Sequence, residues 1–232
     1  MQAMVQDRYG SPEVLRLEEI DRPVVGDGEI LVRVHAASIH VGDWILMTGR
    51  PWVMRMATGL RRPKHRVPGS DIAGTIEAIG TGVTHLAVGD EVFGWSTGAF
   101  AEYAVAGEAQ FVRKPASLTF EQAAAVGVSA TTALQLLRDR DIQQGQTVLV
   151  NGASGGVGTF AVQIAKSLGA EVTGVTSTKN LELVRSIGAD HVIDYTRDDF
   201  TAGAARYDVI LDNVGNHSLA RTRRALAPTG TL

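Results

Sequence analysis

The chain has 232 residues, 44% of them hydrophobic and 20% charged, with a formal net charge of −3, enough to bury a core as one large or two small domains. Cysteine is absent, which excludes disulfides, thiolate nucleophiles and sulfur-ligated zinc. No apolar run reaches the ~18 residues of a membrane span, Met1–Gly10 lacks a cationic start followed by an apolar stretch, and the mild negative charge argues against a nucleic-acid partner; a soluble, cytoplasmic protein with neither membrane nor nucleic acid as partner is expected.

From Glu13 to Pro115, short apolar alternations such as EILVRVHAASI, DIAGTIEAIG, DEVFGW and FAEYAVA are separated by Gly, Asp, Pro and Thr. Period-two segments bounded by turn residues predict a compact, mostly antiparallel β domain. Gly69, Gly74, Gly80, Gly82, Gly89 and Gly94 are expected to serve its turns. Within it Arg50, Arg55, Arg61, Arg62, Lys64 and Arg66 occur with no acid among them, either a solvated loop or a funnel for an anion. His35, His65, His85, His191 and His217 show neither ligand spacing nor a paired acid and read as structural or exposed.

After Pro115 the pattern changes. A helix is predicted from Phe120 to Arg138, with Thr119 as N-cap and Gln122 at the reciprocal capping-box position. Val148 to Val150 is a strand, and Val157, Phe160, Ala161, Ile164, Ala165 and Leu168 follow at helical spacing before Gly169. A strand over Glu171 to Thr176, a short helix marked by Leu181, Val184 and Ile187, and strands at HVIDY and Tyr207 to Asp212 come next. A helix over Leu219 to Leu226 precedes Pro228 and Gly230, and the sequence stops at Thr231 and Leu232 inside what reads as a fifth strand. That ending predicts either a fragment or an assembly in which a partner covers an open central strand. The β/α alternation predicts a Rossmann-type doubly wound parallel sheet over residues 118–232, behind the β domain of residues 1–117.

The segment NGASGGVG follows the first strand of that series and opens its first helix. Gly152 permits a tight turn, Gly155 lets the backbone approach a pyrophosphate, and Gly158 lets helix and strand pack closely. With Ser154, Gly156 and Val157 they surround a helix amino end suited to an anion. NAD sites usually place an acid at the end of the second strand, roughly 20 residues past the glycines. Here Thr176, Ser177, Thr178 and Lys179 stand there, with no carboxylate to repel a 2′-phosphate and two hydroxyls and an ammonium to hold one, which points to NADPH.

These residues resemble the medium-chain dehydrogenase/reductase superfamily, and within it the zinc-free quinone oxidoreductase (ζ-crystallin-like) branch. The resemblance is carried by QTVLVNGASGGVGTFAVQIAK at Gln146 to Lys166, PGSDIAG at Pro68 to Gly74, VGDEVFG at Val88 to Gly94 and the DNVG turn at Asp212 to Gly215. It implies a GroES-like catalytic domain before the Rossmann domain and an active site between them. It also implies that Tyr195 lies near the adenosine end of the cofactor and Asn213 near its ribose-nicotinamide end, and that the enzyme pairs as a homodimer through the cofactor-domain sheet edge. Zinc-using relatives have cysteine at the His40 position, histidine at Ser70 and an acid at Asp71; His40, Ser70 and Asp71 make a poor ligand set, so no metal is expected.

Without a metal, the oxygen that gains charge on hydride transfer needs hydrogen-bond donors. His40 and Trp44, with Asp43 to orient a neighbour, lie in HVGDW, which corresponds to the family's substrate-facing loop. Many quinone reductase relatives carry Asn at the His40 position, so histidine here suggests proton delivery, although a histidine capping a local strand end fits as well. Thr132 matches a threonine that approaches the nicotinamide, or else is a helix hydroxyl bonded to its own backbone. The expected activity is NADPH-dependent reduction of a quinone, enone or similar small carbonyl. An alcohol dehydrogenase-like oxidoreductase of simple carbonyls, and an NADPH-binding sensor or structural protein with little turnover, are the alternatives.

Overall fold

The computed structural model describes residues 1–232, which divide into two compact units, Met1–Val128 and Ser129–Leu232. In the first, β1 (Gln2–Val5) pairs antiparallel with β2 (Arg16–Glu19). β3 (Glu29–Ala37) is followed by α1 (Val41–Thr48), a 3-10 turn over Trp52–Met54 and the short α2 (Arg55–Thr58). β4 (Asp71–Ile79), β5 (Glu91–Trp95), β6 (Tyr103–Gly107) and β7 (Phe111–Arg113) complete an antiparallel sheet of order β6-β3-β4-β5-β7.

The two-residue period of β4 sorts its side chains between two cores. Ile72 and Ile76 join Ile30, Val32, Val92 and Phe111 in one. Ala73 belongs to the other, against Ala123 and Ala124 of α3 (Phe120–Ala124). Because α3 packs on this sheet, the first unit extends beyond residue 117 to Val128. The small residues are there for space as much as for turns. Gly69, Gly82 and Gly89 do adopt positive φ, but Gly74 and Gly94 lie inside β4 and β5, where an added Cβ would fall 2.1 Å from the carbonyl oxygens of Arg33 and Gln110. Close approach of neighbouring backbone, not a turn, requires glycine at those two positions.

The basic segment is only partly a free cationic surface. Arg66 bonds Asp7 and Glu18, and the guanidinium of Arg55 stacks over Tyr9 and Trp52. Arg50, Arg61, Arg62 and Lys64 are exposed. Arg66 and Arg16 together hold the Asp7 carboxyl down at about 2, chiefly through their hydrogen bonds.

The expected helix from Phe120 to Arg138 is two helices. Thr119 and Gln122 cap α3 reciprocally, the chain breaks at Ala125 and Val126, and α4 (Gly127–Arg138) follows. The cause is Asp71, only 1% exposed. Its two carboxylate oxygens accept the Val128 N–H at 3.0 and 3.1 Å, and a Cβ at Gly127 would lie 2.5 Å from Asp71 Oδ1. A continuous helix would have spent that amide on its own backbone and left the buried acid without its best donor.

In the second unit β8 (Thr147–Asn151), α5 (Gly156–Ser167), β9 (Glu171–Thr176), α6 (Leu181–Ser186), β10 (His191–Asp194), β11 (Tyr207–Asp212), α7 (Leu219–Thr222) and β12 (Leu226–Thr231) follow in order. All five strands are parallel, in the order β10-β9-β8-β11-β12. Val148 and Val150 pack with Ala161, Val162 and Ala165 of α5, while Leu149 belongs to a separate core with Val175, Phe200 and Ile210. The last helix is shorter than its apolar pattern suggests. It gives way to a 3-10 turn over Arg223–Ala225, and the strand already begins at Leu226. That strand lies at the edge of the sheet, not at its centre, and its pairing with β11 slips between Tyr207 and Val209, an arrangement that tolerates Pro228. No helix is long and apolar enough to cross a membrane.

Burial holds the Asp71 carboxyl above the usual aspartate range, against the opposing Val128 hydrogen bond. Its contribution to stability is therefore complete below the unfolded pKa and lost as pH rises through the folded one. In denaturant titrations across the acidic range, Asp71→Asn is expected to gain on the wild type as pH rises, because its neutral amide still accepts from Val128; a pH-independent difference would refute this.

Candidate cofactor cradle and catalytic cluster

β8 lies between β9 and β11, where the chain changes direction across the sheet, and ligands of open parallel sheets bind beyond the strand ends at such a point. Gly152 turns the chain there at φ +83°, its N–H and that of Ala153 donating to Val175 O. Gly155 N–H closes the turn onto Gly152 O at 3.0 Å. Gly155 is the N-cap of α5 and supplies no side-chain cap, so the leading amides of Gly156, Val157 and Gly158 are left for an anion, with the helix dipole behind them. A Cβ at Gly158 would come within 2.1 Å of Gly152 O, whereas one at Gly155 would meet only that same oxygen at 3.3 Å. Gly158 therefore permits the helix to abut the turn, and Gly155, which is exposed, leaves its face open.

Ser154 stands at the centre of a polar web. Its Oγ accepts from Thr176 Oγ1 at 2.7 Å and Asn180 Nδ2 at 3.0 Å, which leaves its own proton to donate outward. Asn151, buried at the end of β8, donates through Nδ2 to Asp212 Oδ1 and Asn216 Oδ1. Asp212 Oδ1 also accepts the amides of Val214 and Gly215, and Asn213 N–H bonds Asn151 O. These contacts fix the DNVG loop to the strand end and leave the Asn213 side chain exposed. Asn151, Val175, Tyr195, Phe200, Asn216 and His217 line a cavity of about 270 Å³ at the same end of the sheet. Tyr195 is 57% exposed.

At the end of β9 the residues expected to meet a 2′-phosphate are not all available to a ligand. Ser177 and Lys179 are accessible, but Thr178 Oγ1 donates to Asp194 Oδ2 at 2.5 Å, so its proton is not free for a ligand. A carboxylate thus stands beside this turn after all, brought from β10 by strand pairing. Two histidines also have acids that sequence spacing concealed. His191 Nε2 lies 2.8 Å from Glu171 Oε1. His217 Nε2 lies 3.8 Å from Asp199 Oδ1, and Asp199 is bridged in turn by Arg221.

In the first unit His40 is the N-cap of α1. Its Nδ1 accepts the Gly42 N–H at 3.0 Å, and its Nε2 lies 3.0 Å from Ser70 Oγ. An acceptor at Nδ1 places the single ring proton of neutral histidine on Nε2. Ser70 Oγ donates to Asp43 Oδ1 at 3.0 Å, and Asp43 Oδ2 accepts the His40 backbone N–H at 2.9 Å. The result is a closed ring of three side chains in which Ser70, which the sequence suggested only as a poor metal ligand, is the bridge. Trp44 is half exposed, and the Thr132 hydroxyl makes no bond to its own helix, unlike Thr48 and Thr58.

A catalytic zinc does not fit these residues. Both His40 nitrogens are committed within the chain, Ser70 is a neutral hydroxyl, and Asp71 is held by the Val128 amide. No group of three or more His, Asp or Glu side chains converges in a metal-holding arrangement.

Comparison with known proteins agrees with both halves of this architecture. The family described as alcohol dehydrogenase GroES-like domain matches residues 26–116, and that described as zinc-binding dehydrogenase matches residues 156–232. The chain is 33% identical to a quinone oxidoreductase of Homo sapiens over 99% of its own length and 71% of that protein's. It is likewise 33% identical to a 2-methylene-furan-3-one reductase of Solanum lycopersicum over 93% of its length, and spans 57% of that relative's. The structure of Escherichia coli quinone oxidoreductase complexed with NADPH superposes with a TM-score of 0.86 at 28% identity, covering 99% of this chain and 71% of that one. A GroES-like unit followed by a Rossmann-like parallel sheet is the architecture of the medium-chain dehydrogenases and reductases. The chain belongs to the quinone oxidoreductase branch of that superfamily.

Replacing Gly158 with Ala forces helix and turn apart at a 2.1 Å approach. The expected loss is about 1–3 kcal/mol of unfolding free energy, as for other overpacked sites, read by denaturant titration; an unaltered midpoint would count against the packing role given to this glycine.

Proposed function

We propose that this protein is an NADPH-dependent oxidoreductase of the cytoplasm that transfers a hydride to a quinone, an enone or a similar small carbonyl without a catalytic metal. The observation that carries this reading is the uncapped amino end of α5, facing the strand ends at the switch point of the sheet. The names of the relatives, which include reductases of quinones and of a furanone, supply the substrate class.

Bound NADPH supplies the hydride. The amides of Gly156, Val157 and Gly158, at the turn made by Gly152 and Gly155, hold its diphosphate together with the Ser154 hydroxyl. Ser177 and Lys179 take the 2′-phosphate through charge-assisted bonds, with Thr178 shaping the turn from behind. Tyr195 covers the adenosine, and Asn213 holds the ribose next to the nicotinamide. In the first unit Trp44 Nε1–H is a donor with no partner of its own, suited to a developing oxyanion; in the second unit the Thr132 hydroxyl is free to bond the nicotinamide. His40 carries its proton on Nε2, where Ser70 and Asp43 hold the ring in one tautomer; a substrate oxygen that displaces Ser70 receives that proton.

The test of the whole reading is titration with NADPH, followed by oxidation assays against quinones, enones and aldehydes. Saturable binding with turnover on quinones or enones is expected. Turnover on simple aldehydes alone would favour an alcohol dehydrogenase-like activity, binding without turnover a sensor, and no binding would end the proposal. His40→Ala should lower kcat roughly 10²-fold, the scale of one lost oxyanion donor, while His40→Asn, which restores both an N-cap and a donor, should stay within about tenfold of the wild type. Lys179→Ala should weaken NADPH about tenfold and leave NADH unchanged; equal weakening of the two would refute the 2′-phosphate assignment.

A further inference from the structure

We propose that Asp194, at the end of β10, sets the preference of this site between NADPH and NADH, an inference that rests on the dinucleotide reading above. In an NAD-selective parallel sheet the discriminating acid stands at the end of the second strand. Here that position is Thr176, whose hydroxyl is turned inward to Ser154. The parallel register of β9 and β10 pairs Thr176 directly with Asp194. The carboxylate has thus moved one strand sideways, a step of about 4.8 Å, and stays at the same level of the sheet.

Its contacts show what it does there. Asp194 is 7% exposed, and its carboxylate accepts three hydrogen bonds. They come from Thr178 Oγ1 at 2.5 Å, Thr196 N at 3.0 Å and Thr196 Oγ1 at 2.8 Å. The Thr178 bond, the largest cause, holds the carboxyl below the usual aspartate range, so it is charged at neutral pH. It therefore acts in two ways. It ties the turn that carries Ser177 and Lys179 to the next strand, and it places one fixed negative charge beside the locus of a 2′-phosphate. The surrounding charges are Lys179 on the same turn and Arg197, whose Nε lies 3.8 Å from Asp194 Oδ2 and whose side chain is 74% exposed, with Asp198 exposed beyond it. The two cations favour the phosphate and Asp194 opposes it, so the site accepts NADPH with a preference smaller than its cations alone would give.

The experiment measures dissociation constants of NADPH and NADH for the full chain by fluorescence titration, at low and at high salt. Asp194→Asn keeps the size and acceptor of the side chain and removes its charge. It should tighten NADPH about fivefold relative to NADH, the scale of one partly screened charge, with the effect shrinking at high salt. Asp194→Ser, which also removes the charge but keeps an acceptor for the Thr196 amide, should move the ratio in the same direction and keeps the test usable if Asp194→Asn fails to fold. Unchanged ratios in the folded variants would overturn the role of Asp194 and leave NADPH binding intact. Absence of binding by the wild type would overturn the underlying dinucleotide reading together with this one.

Discussion

The parallel register of the second unit is the constraint from which its candidate site follows. Because β8, β9, β10 and β11 all run in one direction, their carboxyl ends converge on one edge. Residues far apart in the chain, Asn151, Thr176, Asp194 and Asp212, are thereby brought level with each other. The contact between Gly158 and the Gly152 carbonyl then presses the start of α5 against that edge. A side chain at Gly158 would hold the helix off, and its amides would no longer point at what lies over the strand ends.

The first unit solves a different problem, that of burying two acids, one on a strand and one in the first turn of a helix. Asp71 and Asp43 are 1% and 4% exposed, and an unpaired carboxylate at such positions would be costly. Each is met by a helix start. Asp71 receives the Val128 amide at the beginning of α4, and Asp43 closes the cap of α1 through the His40 backbone while receiving Ser70. The same bonds that satisfy these acids interrupt one helix, begin another and fix the tautomer of the one histidine with a claim to chemistry.

Much of this was legible in the chain. The change from period-two to alternating β/α segments separates the two fold types, and NGASGGVG between a strand and a helix marks the tight turn that opens α5, because both signals are local. The break at Ala125 and the early start of β12 were not legible, since one depends on Asp71, more than fifty residues away, and the other on pairing with β11. The His40, Ser70 and Asp43 ring was half visible. His40 and Asp43 stand close together in sequence, but their bridge comes from the start of β4. For Thr178 the local view misled, because its hydroxyl was counted as a ligand donor when its partner lies on another strand.

What the sequence by itself determined is therefore the set of elements and the chemistry each carries: glycines for close approach, the absence of thiols, a turn with an ammonium where an acid is usual. What only the tertiary structure decided is which polar groups remain available to a ligand. Hydrogen-bond donors and acceptors are exhausted by their neighbours in space, and those neighbours are chosen by strand order and register, which no stretch of residues specifies alone.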